Sequence, residues 1–288
     1  MHIGVIGGGT MGVGIAHRFA ANGYRVTVVD VDAASAAKAV DRIAASLDTA
    51  VARAKLSPEA GRAAVERVVA APSVDDLEEG LDLIVEAVIE DIDLKRSILA
   101  RAEVRRPVVL ASNTSSISID ALAEALERPG AFAGMHFFNP VWAMHLVEVI
   151  RGGATSPATL DRIARFVDDL GMEQAVINDA AGFATSRLGV LVGLEAIRMV
   201  DEGVGSPADI DTAMRLGYGH PMGPLMLGDL VGLDVRLKIA DHLATVYGER
   251  FAAPSLLRSM VASGDLGKKS GRGFYDWSTG SAVPIEEV

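Results

Sequence analysis

A glycine-rich run near the start of the chain, GGGTMG, leaves few folds open. It follows a short apolar segment, HIGVI, and leads into a stretch with the apolar spacing of a helix. Gly7, Gly9 and Gly12 have the spacing G-x-G-x-x-G. In this motif the first glycine allows a tight turn, the second lets a pyrophosphate approach the backbone, and the third lets helix and strand pack closely. The run therefore predicts a dinucleotide-binding unit with the phosphates at the helix N-terminus.

Asp30 indicates which dinucleotide binds. It ends the next apolar segment, YRVTVVD, and follows the last glycine of the motif by eighteen residues. A carboxylate there can accept hydrogen bonds from an adenosine 2′-hydroxyl, but it repels a 2′-phosphate, which usually requires a nearby arginine. Arg25 lies at the opposite end of that segment, so we predict NAD rather than NADP. The cofactor contacts expected in this part of the chain are Gly7, Gly9, Thr10, Met11, Gly12 and Asp30.

Strand and helix patterns alternate through the first 181 residues. Buried-strand patterns such as LDLIVEAV and PVVLAS end in polar residues and lead into helical patterns. This alternation predicts a Rossmann-type, doubly wound and mostly parallel sheet, in which ligands bind at the carboxyl ends of the strands. Glu90 follows the first of these strands, and Asn113 and Ser115 follow the second. All three are candidate cofactor contacts, and Lys95 either pairs with Glu90 or contacts the cofactor.

The pattern changes after Ala181, where strand patterns stop. Helices are predicted over residues 183–203, 206–219, 220–248 and 254–264. We therefore place an NAD-binding domain at residues 1–181 and an all-α C-terminal domain at residues 182–288, which would also contribute to the substrate pocket. Its first helix is apolar on nearly every face, and Gly189 and Gly193 would let another helix come close. Because one small domain cannot cover such a helix, we expect a homodimer joined through the helical domain.

The segment HFFNPVWAMHLVEVI contains the candidate catalytic groups. Glu148 lies in an apolar run, LVEVI, and a buried carboxylate needs a partner. We predict that His136 is this partner. Histidine suits the removal of an alcohol proton near neutral pH, and the glutamate would fix its tautomer and stabilise the imidazolium. Ser115 and Asn139 are candidate hydrogen-bond donors to the substrate oxygen, although Asn139 alternatively only shapes the turn before Pro140.

The remaining histidines and two cations are less specific. Arg53 and Lys55 follow a predicted helix over residues 33–52. They would either hold the phosphates of a bulky substrate or simply interact with the helix dipole. We interpret the other histidines as structural or exposed: His2, His17, His145, His220 and His242.

Composition excludes several other classes of protein. A net charge of −11 is unlike that of a protein that binds nucleic-acid backbone. The chain has no cysteine, so it has no disulfide and no thiolate metal site, and no His/Asp/Glu cluster has the spacing of metal ligands. No apolar run approaches the ~20 residues needed to cross a bilayer. We expect a cytoplasmic protein without a metal, a membrane anchor or a nucleic-acid partner.

Together these motifs resemble the L-3-hydroxyacyl-CoA dehydrogenase family, including its short-chain 3-hydroxybutyryl-CoA members. The resemblance extends essentially from end to end and rests on VIGGGTMGVGIA, VVD, IVEAVIED, ASNTSS, GMHFFNPV, LVEVI, DIDTAM, HPMGP, DLVGLDV and KKSGRGFY. It implies a homodimer that oxidises an L-3-hydroxyacyl-CoA to a 3-ketoacyl-CoA with NAD. By position it implies a catalytic base at His136 with Glu148 as its partner, substrate-oxygen contacts at Ser115 and Asn139, cofactor contacts at Asp30, Glu90 and Lys95, and CoA contacts at Ser46 and Arg53.

One position departs from the family pattern. In DAAGFATSRL the family commonly has asparagine, a substrate contact, where this chain has Ser186. Serine is shorter and lacks an amide, so this contact would be lost or made through water, and the acyl preference would change. Two alternatives stay open: a dehydrogenase of the same fold that acts on a free hydroxy acid or sugar acid, and a dinucleotide-binding protein without catalysis. The cations near Arg53 favour CoA, and the intact His136 and Glu148 favour an active enzyme.

Overall fold

The computed structural model describes residues 1–285. The chain divides into two compact units, one formed by Met1–Ala180 and one that begins at Ala181. Within residues 1–285 no helix is both long enough and apolar enough to cross a membrane.

The first unit is built on a sheet with the strand order β3-β2-β1-β4-β5-β6-β7-β8. Neighbouring strands are parallel except for β6 and β7, which are antiparallel. The predicted doubly wound, mostly parallel sheet is therefore confirmed. The strands are β1 (His2–Ile6), β2 (Arg25–Val29), β3 (Val68–Ala71), β4 (Leu83–Glu86), β5 (Val109–Ser112), β6 (Phe132–Phe137), β7 (Leu146–Arg151) and β8 (Glu173–Asn178).

Helices cover the sheet on both faces. They are α1 (Thr10–Ala21), α2 (Ala33–Ala52), α3 (Pro58–Glu66), α4 (Ile92–Val104), α5 (Ile119–Ala123) and α6 (Pro157–Asp169). The predicted helix over residues 33–52 is confirmed as α2. Helix α5 follows Ser118, whose side chain accepts from the backbone N–H of Ala121. Helix α3 was not predicted from the pattern, because its nine residues bury only Gly61 and Ala64 and give little apolar periodicity.

One core cluster of the first unit lies between the sheet and helices α1, α2 and α6. Phe19 of α1 is fully buried and packs edge-on against Tyr24, with 5.3 Å between the ring centroids. The Tyr24 hydroxyl donates to Asp169 at 2.5 Å, so the end of α6 is tied to the start of β2. Burial and this acidic partner raise the pKa of Tyr24. Aromatic packing of this kind fixes α1 against the sheet, which in turn positions the glycine turn that precedes it.

The second unit is helical with one small addition. Its helices are α7 (Thr185–Asp201), α8 (Pro207–Gly217), α9 (Pro224–Val231), α10 (Leu233–Tyr247) and α11 (Ser255–Ser263). The single helix predicted over residues 220–248 was wrong. Gly232 has a φ of +103° and separates α9 from α10, because only glycine readily adopts that conformation. A short antiparallel pair, Tyr275–Asp276 (β9) with Val283–Pro284 (β10), was also not predicted.

Two buried aspartates tie the C-terminal segment to the helices of the second unit. Asp229 accepts hydrogen bonds from the backbone N–H of Phe274 and from the Trp277 indole at 3.0 and 2.9 Å. Asp211 accepts one from the Tyr275 hydroxyl at 2.8 Å. Burial raises the pKa of Asp229, against the effect of these hydrogen bonds. Such carboxylates are stable in a core only because their oxygens are fully hydrogen-bonded.

The space above Gly193 is taken by an arginine of the same chain. A Cβ at Gly193 would lie 1.9 Å from Nη1 of Arg236, which is 4% exposed and donates to the Gly189 carbonyl at 2.9 Å. Burial lowers the pKa of Arg236 to about 10. Arg236 belongs to α10, so another helix does come close to α7 at Gly193, whereas an added Cβ at Gly189 would meet nothing within 4 Å.

Candidate active site

The three glycines of the GGGTMG turn have different surroundings. A Cβ at Gly12 would lie 1.7 Å from the Gly7 carbonyl oxygen, and one at Gly7 would lie 2.5 Å from that of Ala87. Gly7 also has a φ of +108°. At Gly9 an added Cβ would meet nothing within 4 Å. The first and third glycines therefore allow close packing within the protein, whereas the second leaves open space at the position where the motif places a pyrophosphate.

The N-terminus of α1 is suited to an anion. Helices α2, α3, α4, α5 and α6 each begin at an aspartate or serine whose side chain accepts a hydrogen bond from the first turn. Helix α1 begins at Gly9, which has no side chain to cap it. Its first N–H groups and the positive end of its dipole therefore point into a cavity of about 830 Å³. The predicted contacts Gly7, Gly9, Thr10, Met11 and Asp30 line this cavity, whereas Gly12 is packed beneath the turn.

Asp30 is held in the cofactor cavity by two backbone groups. Its Oδ2 accepts from Gly8 N at 3.1 Å, and its Oδ1 accepts from Val31 N at 2.7 Å. Arg42 of α2 lines the same cavity and donates to the Gly8 carbonyl at 2.8 Å. Arg42 could not be predicted from the sequence, because nothing in the helical pattern of α2 indicates which of its residues face the glycine turn.

Lys95 forms a buried ion pair at the carboxyl end of β4. The side chain is 1% exposed, and its Nζ lies 2.7 Å from Glu86 and 3.3 Å from Glu90. The predicted pairing with Glu90 is confirmed, but the shorter contact is to Glu86, which is fully buried and also accepts from the Ser112 hydroxyl at 2.6 Å. Glu86 sits beside Ser112 in the register of β4 and β5, a proximity that the linear sequence does not reveal. A direct contact of Lys95 with the cofactor stays a prediction.

Glu90 organises the loop that follows β5. Its Oε1 accepts from the Thr114 hydroxyl at 2.6 Å and from the backbone N–H groups of Ser115 and Ser116 at 3.0 Å. Partial burial alone would raise the pKa of Glu90, but these hydrogen bonds and the charge of Lys95 outweigh it and lower the pKa. Glu90 is therefore an anionic support for the loop that presents Ser115.

The other predicted residues at the carboxyl ends of the strands, Asn113, Ser115 and Asn139, lie in the loops that follow β5 and β6. Asn113 accepts from the backbone N–H of Phe137 through Oδ1 at 2.9 Å and so joins the ends of β5 and β6. Ser115 is exposed, and Asn139, which precedes a cis proline, is exposed as well. Glu90, Lys95, Asn113 and Ser115 thus form a polar cluster beyond β4 and β5 rather than part of the lining of the 830 Å³ cavity.

His136 and Glu148 are direct neighbours across the antiparallel pair β6 and β7. Nδ1 of His136 lies 2.8 Å from Oε2 of Glu148. The glutamate is fully buried and the histidine is 8% exposed, and the ring of Phe138 packs on the imidazole with 4.4 Å between centroids. The carboxylate therefore accepts from Nδ1–H and fixes the orientation and tautomer of the imidazole.

A second cavity, of about 530 Å³, is lined by the C-terminal halves of α1 and α2. Arg53 lines it, with its guanidinium 5.7 Å from the ring centroid of Trp142. Ser46 also lines it and shares a 2.8 Å hydrogen bond with Nδ1 of His17. The other charged or titratable residues of the lining are Arg18, Lys55 and His145, and no acidic residue takes part. The structure thus brings the predicted Ser46 and Arg53 into one cationic cavity, which is suited to phosphates.

Two histidines line this cavity, His17 and His145. His17 is buried and hydrogen-bonded, and His145 is exposed, so both agree with the prediction of structural or exposed histidines, but their place in a cavity was not predicted. Burial, and then the neighbouring Arg18, lower the pKa of His17. His17 therefore contributes a neutral hydrogen-bonding group near pH 7, and the permanent charge of the cavity comes from its arginines and lysine. A solitary histidine on a helix has no sequence signal for such a role.

Ser186 belongs to the second unit. It is the second residue of α7 and is half-buried. The preceding loop contains Gly182, whose φ is +76° and whose added Cβ would lie 2.9 Å from Leu243. The start of α7 is therefore closely constrained by its own unit. The proposed effect of Ser186 on the substrate stays a prediction.

Comparisons with known proteins agree along the whole chain. The family model for the 3-hydroxyacyl-CoA dehydrogenase NAD-binding domain matches residues 2–180, and the model for the C-terminal domain of the same family matches residues 182–277. A 3-hydroxybutyryl-CoA dehydrogenase of Bradyrhizobium diazoefficiens is 42% identical over 98% of this chain and 97% of that protein. A 3-hydroxyadipyl-CoA dehydrogenase of Escherichia coli is 39% identical over 96% of this chain and 58% of that protein.

A solved structure shows the same architecture. The crystal structure of (S)-3-hydroxybutyryl-CoA dehydrogenase from Ralstonia eutropha has a TM-score of 0.90 and 40% identity, over 96% of this chain and 98% of that one. Since both the first and the second unit lie within this match, the likeness covers the dinucleotide turn, the histidine–glutamate pair and the helices that follow.

Proposed function

This chain belongs to the 3-hydroxyacyl-CoA dehydrogenase family, an NAD-dependent oxidoreductase family, and we propose that it oxidises L-3-hydroxybutyryl-CoA and similar short-chain L-3-hydroxyacyl-CoA thioesters to 3-ketoacyl-CoA thioesters. The observation that carries the proposal is the His136–Glu148 pair, 2.8 Å apart and almost fully enclosed. When bound, NAD supplies the hydride acceptor. The chain itself must remove the hydroxyl proton and hold the substrate oxygen.

His136 acts as the general base in this proposal. Because its Nδ1 is engaged by Glu148, the proton of the substrate hydroxyl goes to Nε2 as the carbonyl forms. Glu148 then stabilises the imidazolium through the same hydrogen bond, the orienting role that carboxylates have beside catalytic histidines. In the reverse direction the imidazolium returns the proton to the carbonyl oxygen.

Ser115 and Asn139 hold the substrate oxygen in this proposal. Both side chains are exposed at the ends of neighbouring strands, β5 and β6. Glu90 fixes the Ser115 loop through the N–H groups of residues 115 and 116. The rigid support favours a positioning role, because donors held in place before the reaction stabilise developing charge most effectively.

The cationic cavity supports a CoA thioester over a free hydroxy acid. A free short-chain acid carries one carboxylate and would leave most of the 530 Å³ cavity unused. The nucleotide end of CoA carries several phosphates and a flat base. Arg18, Arg53 and Lys55 supply charge for the phosphates, and Trp142 supplies an aromatic face for the base.

The test of the mechanism is His136→Gln. Acetoacetyl-CoA reduction is followed as loss of NADH absorbance, and we expect kcat to fall about 10²–10⁴-fold, the usual contribution of general acid–base catalysis. His242→Gln is the matched control, since His242 is exposed and lies in the second unit. Equal activity of His136→Gln and wild type would refute the proposed base, and activity on free acetoacetate equal to that on its CoA thioester would favour a free-acid enzyme.

We also propose that the chain forms a homodimer through its second unit. Apolar residues are exposed along three mutually packed helices, α7, α9 and α10. They are Leu188, Val192, Leu227, Leu230, Val231 and Val235, each between 37% and 61% exposed. Apolar faces of this kind are usually covered by a partner. Light scattering should give the mass of a dimer, and Leu188→Glu with Leu230→Glu should give a monomer; a monomeric wild type at micromolar concentration would contradict the proposal.

A further inference from the structure

The side chains of Asp30 and Arg42 both form hydrogen bonds with the backbone of Gly8 in the glycine turn. Asp30 accepts the N–H of Gly8 at 3.1 Å, and Arg42 donates to its carbonyl at 2.8 Å. A Cβ at Gly8 would lie 2.5 Å from Oδ2 of Asp30, so the carboxylate sits directly against this peptide. Both side chains line the 830 Å³ cofactor cavity. An anionic group and a cationic group therefore lie at the end of the cavity that receives the adenosine ribose.

The two arginines of this cavity differ in how their charges are compensated. Arg101 lines it and forms an ion pair with Asp75 at 2.7 Å. Arg42 is exposed, and it donates a hydrogen bond to a neutral group, the Gly8 carbonyl. Among residues 1–285, none of the ion pairs within 4.0 Å involves Arg42. Its positive charge is thus available to a ligand beside Asp30.

We propose that Arg42 is a latent binding group for an adenosine 2′-phosphate, which becomes effective only when the charge of Asp30 is removed. With Asp30 present, the carboxylate accepts from the ribose hydroxyls and repels a phosphate, while Arg42 serves only to anchor the turn. The NAD preference of this chain then rests on the single charge of Asp30. When that charge is removed, Arg42 remains as a cation that can bind the 2′-phosphate of NADPH. Strand β2 itself supplies no such cation at this end.

This proposal rests on the dinucleotide cavity and is independent of the catalytic role of His136. Binding of NADH and NADPH is measured directly by the fluorescence change of the reduced nicotinamide, so that loss of catalysis does not affect the result. The proteins compared are the wild type, Asp30→Ser, and Asp30→Ser combined with Arg42→Gln. Asp30→Ser combined with Lys38→Gln is the matched control, because Lys38 lies on the same helix, is exposed and does not line the cavity.

We expect Asp30→Ser to weaken NADH and to strengthen NADPH. Adding Arg42→Gln should reverse the NADPH gain by about ten- to a hundredfold, the range that a charge-assisted hydrogen bond supplies. Lys38→Gln should leave the gain intact. The gain should also shrink as salt is raised, since the interaction is between charges near the surface.

Three results would overturn the proposal. The first is equal NADPH affinity of Asp30→Ser with and without Arg42, and the second is an equal loss of the gain with Lys38→Gln. The third is no NADPH gain in either Asp30→Ser or Asp30→Asn, when thermal unfolding shows that both variants are folded. Asp30→Asn keeps the shape of the side chain and removes only its charge, so it separates the electrostatic effect from damage to the turn.

Discussion

The two cavities of the first unit use the same pair of helices in different ways. The cofactor cavity lies at the N-terminus of α1 and presents backbone N–H groups, open space at Gly9 and the carboxylate of Asp30. The cationic cavity lies towards the other ends of α1 and α2 and uses long side chains, Arg18 and Arg53 among them. Binding by backbone groups depends on the conformation of the glycine turn. Binding by side chains depends on which residues the packing of the helices brings into the same cavity.

This difference predicts how each cavity fails on mutation. A methyl group added in the glycine turn meets either the backbone or the open space of the cavity. Its effect on stability or on cofactor binding should therefore be large at one position and small at another. A truncation in the cationic cavity removes one contact among several and should have a graded effect confined to one ligand. The following predictions run from the largest expected effect to the smallest.

Gly12→Ala and Gly9→Ala should separate folding from cofactor binding. The methyl group at position 12 would lie 1.7 Å from the Gly7 carbonyl, so we expect a loss of about 3 kcal/mol in the free energy of unfolding, the upper range of overpacking. At position 9 the backbone has a φ of −68°, which alanine accepts, and the stability should stay within about 1 kcal/mol of wild type. The measurements are urea unfolding and NADH titration.

Gly9→Ala should nevertheless weaken NADH by tenfold or more, on the order of 1.4 kcal/mol, because its methyl group enters the space left for the pyrophosphate. A variant at position 9 that binds NADH as well as wild type would show that the open space does not receive the phosphates. A Gly12→Ala protein of normal stability would show that the turn relaxes more easily than its packing indicates.

Arg53→Ala should act on the CoA part of the substrate alone. We expect the KM for acetoacetyl-CoA to rise about tenfold, since a hydrogen bond to a charged group contributes about 1.5–3 kcal/mol, with a small change in kcat. For a truncated thioester that lacks the nucleotide, acetoacetyl-N-acetylcysteamine, the KM should not change. Arg62→Ala is the control, because Arg62 is exposed on α3 and does not line the cavity. An equal change in the KM for both thioesters would show that Arg53 does not contact the nucleotide part of CoA.

His17→Gln should change the pH dependence of stability and little else. Burial and Arg18 lower the pKa of His17 below the ordinary value of 6.5. The neutral form is therefore favoured in the folded state, and this contribution to stability is present above pH 6.5 and is lost as the pH falls through the folded pKa. The unfolding free energy of wild type should fall more steeply than that of His17→Gln between pH 7.5 and 5. Parallel curves would contradict the burial argument.

The sequence was sufficient to predict a feature wherever one short segment determines both its backbone conformation and its functional groups. The glycine turn, the acid at the end of β2 and the alternation of strands and helices could all be predicted, because strand and helix periods and the need for positive φ at glycine act over a few residues. The His136–Glu148 pair could also be predicted, because a carboxylate in an apolar strand requires a partner and the histidine lies one hairpin away.

Tertiary structure decided the contacts that no pattern in the sequence indicates. Lys95 pairs most closely with Glu86 because β4 and α4 meet there, and Arg42 reaches the glycine turn from the middle of α2. His17, Ser46, Arg53 and Trp142 form one cavity although they span 126 positions of the sequence. The periodicity of a single helix or strand does not predict these contacts. Long side chains extend several ångströms, and their neighbours depend on how the helices pack on the sheet. The sequence by itself therefore determined the fold class, the cofactor and the pairing of His136 with Glu148, and only the packed structure decided which cations line the two cavities.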